Sequence, residues 1–500
     1  MTSYSLKKLT KGGLWLILTN VITRLSGLIS LPILARLLGP TDLGIYNLLQ
    51  NVIQTADGLS RLGVDAAMHR YGAQYEAIGS YSVGRLFGVG SCLIIISSGF
   101  ISTCLWIFRQ IVAQRFLGEI TIEPWLGLAA FTVFITAIGN PSWVYLVALQ
   151  AFKVYSLRTS VITISGAIIT LLLTWKLGLT GSLWSFAIIA IVQTFYGWWL
   201  TIPVLIKYKI QLYFENFVPE AIKILKFGLP FYASNFLSSF VGLPLLGYVS
   251  KSGGIEQLGY LRVAQSLSQF VSFLPTAIAP VLISSLSASL ASDTKEYQNI
   301  KSLHLRVLWS VLLFTSVAIS FNLDWIVGLL FGATYQNAII LSRLTIWITA
   351  ISSLSGMMGQ YVTSLGNTRA IAIIQTTSLA LTVVIAMVLI PTYNSVGLLI
   401  AQAISGCFTL IAYIRPALAD IDRSDHKYLW LLTFTSVNLF IISFLTSFIN
   451  FNIFVNIILS FIFVGMTLVL TLLGCFTQSE RLSAYLVLSK LISKFKFLRP

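Results

Sequence analysis

Charge is what this chain has least of. Only 10% of its 500 residues are Asp, Glu, Lys or Arg, against about 25% in soluble domains. That is too little polar cover for a water-soluble globule of this length. A soluble enzyme, a nucleic-acid binder and a disordered linker are therefore disfavoured. Histidine (3) and cysteine (4) are scarcer still. Cys92, Cys104, Cys407 and Cys475 all fall in apolar stretches without metal-ligand spacing, and read as core packing. His69, His304 and His426 lie near the ends of such stretches and read as interfacial polar residues. There is no Gly-x-x-x-x-Gly-Lys-Ser/Thr phosphate loop, so ATP hydrolysis within the chain is not expected. No metal and no cofactor is implied.

What is present is apolar sequence: 56% hydrophobic residues and a mean hydropathy of +0.87. A membrane-spanning helix needs roughly 20 mostly apolar residues. Asp, Glu, Lys and Arg are absent from 86–108, 124–152, 177–206, 227–250, 263–292, 344–368, 370–414 and 428–479. The last two runs are long enough for helical hairpins, with turn signals at 391–397 and 450–452. Backbone polar groups in lipid must be bonded within their own segment, so helices are the expected element. The pattern predicts an all-α polytopic membrane protein of about fourteen spans. They lie at 12–34, 43–64, 84–108, 124–150, 158–176, 180–206, 224–249, 257–290, 304–330, 336–364, 369–390, 395–415, 428–448 and 452–475. The first apolar stretch follows Lys7, Lys8 and Lys11 and lacks a small-residue cleavage site, so it reads as a span rather than a signal peptide.

The charges that remain are placed unevenly. With the N-terminus inside, the outer loops hold Arg36, Arg109, Arg115, Lys176 and Lys251. The spans hold Arg24, Arg262 and Arg343, and the other 24 of the 32 Lys and Arg lie inside. This positive-inside bias puts both termini in the cytoplasm. Most of the net +16 charge then faces the anionic inner leaflet, as does a basic amphipathic tail at 479–500.

The chain also matches itself at an offset of 215 residues. Asn20 meets Asn235, Gly27-Leu28 meets Gly242-Leu243, and Leu43-Gly44 meets Leu258-Gly259. Gln50 and Gln54 meet Gln265 and Gln269. The expected organisation is a six-helix half at 1–209, a second at 216–415 and an extra helix pair at 428–475. An even span count gives the copies the same orientation, and duplicated halves of this kind usually enclose a substrate site.

The segment Leu37-Leu38-Gly39-Pro40-Thr41-Asp42-Leu43-Gly44-Ile45-Tyr46 resembles the opening of bacterial Wzx-type polysaccharide flippases. These belong to the multidrug/oligosaccharidyl-lipid/polysaccharide exporter (MOP) superfamily. The resemblance extends to the layout of six, six and two spans. It implies a flippase of the cell (inner) membrane, not an enzyme. Such a protein moves undecaprenyl-diphosphate-linked oligosaccharide from the inner to the outer leaflet by alternating access, for surface polysaccharide biosynthesis. The implied partners are that lipid, the membrane and polysaccharide polymerase machinery. Nucleic acid is not among them.

An ionisable group deep in a span usually faces a partner or a wet cavity. The family's first and eighth spans line the cavity and carry cations for the pyrophosphate. Arg24 and Arg262 are thus candidates for diphosphate binding, for which a guanidinium fork is suited, and Arg343 is a third. Structural pairing is the bland alternative for each. Asp57 is either a coupling-ion site or a salt-bridge partner, to Arg24 or to Arg61 one turn on. Gln50, Gln54, Gln265, Gln269, Asn20 and Asn235 form a quasi-symmetric polar set, suited equally to sugar hydroxyls or to bonds between helices. Gly84-x-x-x-Gly88 signals close packing, and Trp198 and Trp199 read as interface anchors.

Three rival functions remain. A peptidoglycan lipid-precursor flippase has the same anionic cargo. A drug/cation antiporter of the superfamily needs acids in its cavity. A membrane glycosyltransferase or polymerase would use Asp420-Ile421-Asp422 as a metal pair, but that pair sits in a short charged loop with no soluble domain around it.

Overall fold

The computed structural model describes residues 3–76, 79–292, 294–365, 367–418, 423–445 and 453–475. The basic tail at 479–500 and Asp420-Ile421-Asp422 lie outside the described residues, as do the side chains of Asn235, His426 and Cys475. Within them the chain is mostly helical, with no strand. It runs through α1 (Ser3–Arg61), α2 (Val64–Glu76), α3 (Ser80–Ile107), α4 (Arg109–Ile111), α5 (Glu123–Ala148), α6 (Phe152–Lys207) and α7 (Phe217–Gly253). There follow α8 (Glu256–Ser292), α9 (Thr294–Ser320), α10 (Leu323–Leu330), α11 (Ala338–Ser364), α12 (Thr368–Leu418), α13 (Arg423–Leu445) and α14 (Ile453–Cys475). Among the described residues each expected span falls on helix, the ninth on α9 and α10 together.

Seven stretches among the described residues are both long and apolar enough to cross a membrane. Three of them, in α1, α6 and α12, are pairs of expected spans joined without a loop. The joint in each is one left-handed residue: Gly39 (φ 74°), Gly178 (φ 59°) and Asn394 (φ 50°). Glycine has no Cβ to clash in that region, and asparagine tolerates it better than most residues. Pro40 then opens the second helix of the first pair, where a missing N–H costs nothing.

Two boundaries differ from expectation. The ninth span was placed at 304–330. The helix begins ten residues earlier, at Thr294, and ends at Ser320, because Lys295, Lys301 and Arg306 continue the helix that a hydropathy run would exclude. The seventh span is expected at 224–249, yet α7 begins at Phe217. Only the stretch before it is irregular, and it lies against α3, where the Tyr213 amide donates to the Gly84 carbonyl at 3.2 Å. A Cβ on Gly84 would collide with the Gln211 carbonyl, and one on Gly88 with that of Tyr213. The Gly-x-x-x-Gly signal thus marks close packing against a connecting segment rather than against another helix.

By internal contacts the chain forms two compact units. One comprises 1–266, 330–335 and 379–401, the other 267–329, 336–378 and 402–500. In the first, Val64, Met68, Phe87, Val144, Leu149 and Ile224 are part of one buried core. The Tyr145 ring stacks on Phe87 at 4.1 Å, and its hydroxyl donates to the Phe87 carbonyl at 3.0 Å. Trp198, expected as an interface anchor, instead donates from Nε1 to the Ile138 carbonyl at 2.8 Å. Trp199 remains exposed. In the second unit, α11, α13 and α14 each pack on α9. Phe321 stacks on Phe463 at 4.8 Å, and Trp347 Nε1 donates to Ser443 Oγ at 3.2 Å.

A polar knot ties α2 and α3 to the start of α7 in the first unit. Glu220 is buried. It lies 3.2 Å from Arg85 Nη2 and accepts from the Tyr75 hydroxyl at 3.0 Å, while Lys223 stacks over the Tyr71 and Tyr75 rings. Removing one member of a buried pair leaves the other uncompensated. Glu220→Ala is therefore expected to cost roughly 3 kcal/mol, read as a lower unfolding temperature in detergent. An unchanged melting curve would remove the knot from the account of stability.

Candidate functional site

The second half of α1 carries a polar stripe at helical spacing: Tyr46, Gln50, Gln54, Asp57 and Arg61. It ends in an ion cluster. Arg61 donates to Asp57 Oδ2 from Nη2 at 2.5 Å and from Nε at 3.1 Å, and to Asp65 from Nη1 at 3.1 Å. Asn140 Nδ2 donates to the other Asp57 oxygen at 3.1 Å. Asp57 is thus ion-paired with Arg61. Both of its carboxylate oxygens are engaged within the protein.

Further along the stripe, Gln50 is half-buried with its Oε1 hidden and without a hydrogen-bond partner among the described residues. Gln54 is exposed. Tyr46 stacks on Phe186 at 4.8 Å, and Arg262 of α8 lies within electrostatic reach of its hydroxyl. The Arg262 Nε is buried with no hydrogen-bond partner among the described residues. Arg24 is half-buried and Asn20 exposed on the first half of α1. Gln265 and Gln269 are exposed on α8. Arg343 differs from the other two arginines. It is almost wholly buried in the second unit, with Nη2 3.8 Å from Asp324.

Where α1 bends, the first unit is closed by backbone contact. A Cβ on Gly44 would fall inside the Ile255 carbonyl, and one on Gly259 inside the Pro40 carbonyl. The two contacts are reciprocal, since Gly44 and Gly259, like Pro40 and Ile255, are related by the same sequence offset. Asn47 Nδ2 donates to the Leu258 carbonyl at 3.0 Å beside them. At the other end of the second half of α1, Gly63 meets Gly228 of α7 backbone to backbone.

Three residues of this region escaped the sequence reading. Tyr46 closes the Leu-Leu-Gly-Pro segment and was legible there. Asn47 occupies the place in the first copy that Arg262 holds in the second, which the offset alone would have flagged. Arg158 was counted with the inner-side charges. It is 4% exposed, its Nε and Nη2 have no partner among the described residues, and it packs against Gly197. Nothing in the local sequence signals that burial.

No curated protein matches the chain in sequence. Its fold is similar to that of the lipid II flippase MurJ in an inward closed conformation. The TM-score is 0.72 at 15% identity, covering 91% of this chain and 98% of that one. It is also similar to an outward-facing multidrug resistance MATE family transporter of the MOP superfamily (TM-score 0.55, 15% identity, 83% and 95% covered). A MOP superfamily transporter from Pyrococcus furiosus, described as having a binding pocket of reverse polarity, is similar at a TM-score of 0.54 (16% identity, 83% and 94% covered). These likenesses establish the fold, that of MOP superfamily transporters. The sequence profile described as "Polysaccharide biosynthesis protein" matches residues 33–340, from the Gly39 bend through Arg262 and on to α11, and by that match the chain belongs to the polysaccharide biosynthesis protein family.

Proposed function

We propose that the protein is a flippase that carries polyprenyl-diphosphate-linked oligosaccharide from the inner to the outer leaflet of the bacterial cell membrane. The observation that carries this reading is a half-buried cation on α8, Arg262, in spans whose acids are already met by arginines. The acids Asp57 and Asp65 are held by Arg61, and Asp324 is met by Arg343. Arg262 stands on α8 with its Nε buried and without a hydrogen-bond partner among the described residues, and Arg24 is a second, half-buried cation on α1. A cationic drug would need the reverse arrangement. A diphosphate needs cations, and guanidinium groups bind it through paired N–H donors.

The polar set supports the same reading. Asn20, Gln54, Gln265 and Gln269 are amides in apolar spans that the protein leaves uncovered. Polar groups at membrane depth favour a water-filled space over acyl chains. The reciprocal glycine contacts support the reading of two like-oriented halves, because a two-fold relation makes residue i touch j and j touch i. A diphosphate carries about two negative charges. With the interior negative, its outward movement is favoured by about 4.6 kcal/mol per 100 mV.

A second reading, a flippase for a peptidoglycan precursor, is favoured by the higher structural similarity to MurJ. It shares the diphosphate and differs in the sugar. The test is transfer in proteoliposomes. Purified protein is expected to move fluorescent undecaprenyl-diphosphate-oligosaccharide to the outer leaflet, faster with the interior negative, and to leave lipid II in place. Transfer of lipid II alone would establish the second reading. Exchange of a cationic dye with no lipid transfer would overturn both.

A further inference from the structure

Within the second unit α8, α9 and α11 surround a cavity of about 350 Å³. Ligand pockets run from roughly 300 to 1,000 Å³. No lining residue carries a full-time charge, and the polar ones are Ser272, Thr276, His304, Thr349, Ser352, Ser353 and Gln360. Four of these, with Gly356, lie three or four residues apart or at multiples of that spacing along α11, so they share one helix face.

That face behaves differently from the rest of α11. A hydroxyl in an apolar helix normally bonds to the carbonyl four residues back. Ser342, Thr345, Ser355 and Thr363 do so, at 2.7, 2.7, 2.9 and 2.8 Å. Among the described residues Thr349, Ser352, Ser353 and Gln360 make no side-chain hydrogen bond to the protein. A Cβ on Gly356 would meet nothing within 4 Å. Opposite them His304 is held in place through Nδ1 and the Tyr361 hydroxyl at 2.8 Å. Pro275, Leu308 and Met357 complete the wall with carbon surface.

We infer that this cavity is a saccharide subsite, taking one neutral sugar ring of the lipid-linked cargo. The inference rests on the flippase reading and names what part of the cargo the second unit holds. The chemistry of the wall makes the choice. A metal cation or a drug cation would call for a carboxylate, and a phosphate for Lys or Arg, and the wall has none of these. Unbonded hydroxyls and an amide supply donors and acceptors to ring hydroxyls, while the carbon surface faces the C–H side of the ring.

The test compares two cargoes, the host's own undecaprenyl-diphosphate-oligosaccharide and undecaprenyl diphosphate without sugar. Gly356→Leu fills the cavity from a position with room for the side chain. Ser352→Ala with Ser353→Ala removes two hydroxyls and adds no bulk. Each variant is first required to match the wild-type melting temperature in detergent. Expected is a fall of about tenfold or more in transfer of the sugar-bearing lipid, with transfer of the bare diphosphate unchanged. Equal loss of both cargoes, or no loss of either, overturns the subsite. Saturation-transfer NMR with the delipidated oligosaccharide gives an arm that does not depend on transport. Binding to wild type that Gly356→Leu abolishes supports the subsite even if no lipid is moved, in which case only the flippase reading fails. No transfer and no binding together overturn both.

Discussion

Gly44→Val and Gly259→Val are each expected to abolish surface polysaccharide export while the protein still inserts at normal levels. The reason is geometric. Each glycine presses its Cα face against the carbonyl of a residue from the other repeat copy, Ile255 for Gly44 and Pro40 for Gly259. Any Cβ there overlaps backbone, which cannot rotate away as a side chain can. Forcing backbone apart in a packed site costs ~1–3 kcal/mol. Set against one state of a transport cycle, this shifts its population by ~5- to ~150-fold. The asparagine bridge from Asn47 to Leu258 would be lost with the contact. A matched control lies in α1 and α7. Gly27 and Gly242 are also related by the repeat offset, yet a Cβ on either meets nothing within 4 Å. Gly27→Val and Gly242→Val are expected to export normally. Polysaccharide immunoblots of the four variants, normalised to protein level, decide it. Normal export by Gly44→Val would remove the clasp from the mechanism.

Arg262→Ala carries the second large effect. Its guanidinium is partly withdrawn from water, with Nε hidden and without a hydrogen-bond partner among the described residues and the Tyr46 hydroxyl close by. Truncating a desolvated, charge-assisted contact costs on the order of 3 kcal/mol, or about a hundredfold in affinity for the diphosphate. Arg24→Ala is expected to act in the same direction, and Arg24→Lys to retain part of the activity, since lysine keeps the charge without the fork. The loss should follow the phosphate and not the sugar, so sugar-free undecaprenyl diphosphate is the discriminating cargo. If both alanine variants move it at the wild-type rate, the cationic site is wrong. Arg343 is not expected to share this behaviour, because it is almost wholly buried inside the second unit with an acid, Asp324, 3.8 Å from Nη2.

These two predictions set apart what kind of information each came from. The class of the protein was legible from the scarcity of charge, and the spans from the length of the uncharged runs, because lipid leaves the backbone little choice but helix. Even the turn inside 370–414 was visible, and it resolves to one left-handed asparagine. Arg24, Arg262 and Asp57 stood out for a similar reason: ionisable groups are expensive at depth, so each one in a span asks for a partner.

Which partner it finds is a matter of three dimensions. Asp57 had two arginines to choose from in the sequence, and the fold gives it Arg61 and Asn140. Gly27 and Gly44 look alike as letters, each with its counterpart in the second copy. Only packing makes one pair a contact and leaves the other open. The hydroxyls of α11 are equally silent in the sequence, since serine and threonine in an apolar helix usually satisfy themselves on their own backbone. The chain alone thus determined what must be buried in lipid and what is costly there, through short-range rules of solvation and hydrogen bonding. The tertiary structure decided which costly groups are paired, which backbones touch and where a cavity remains, because those depend on helices brought together from distant parts of the sequence.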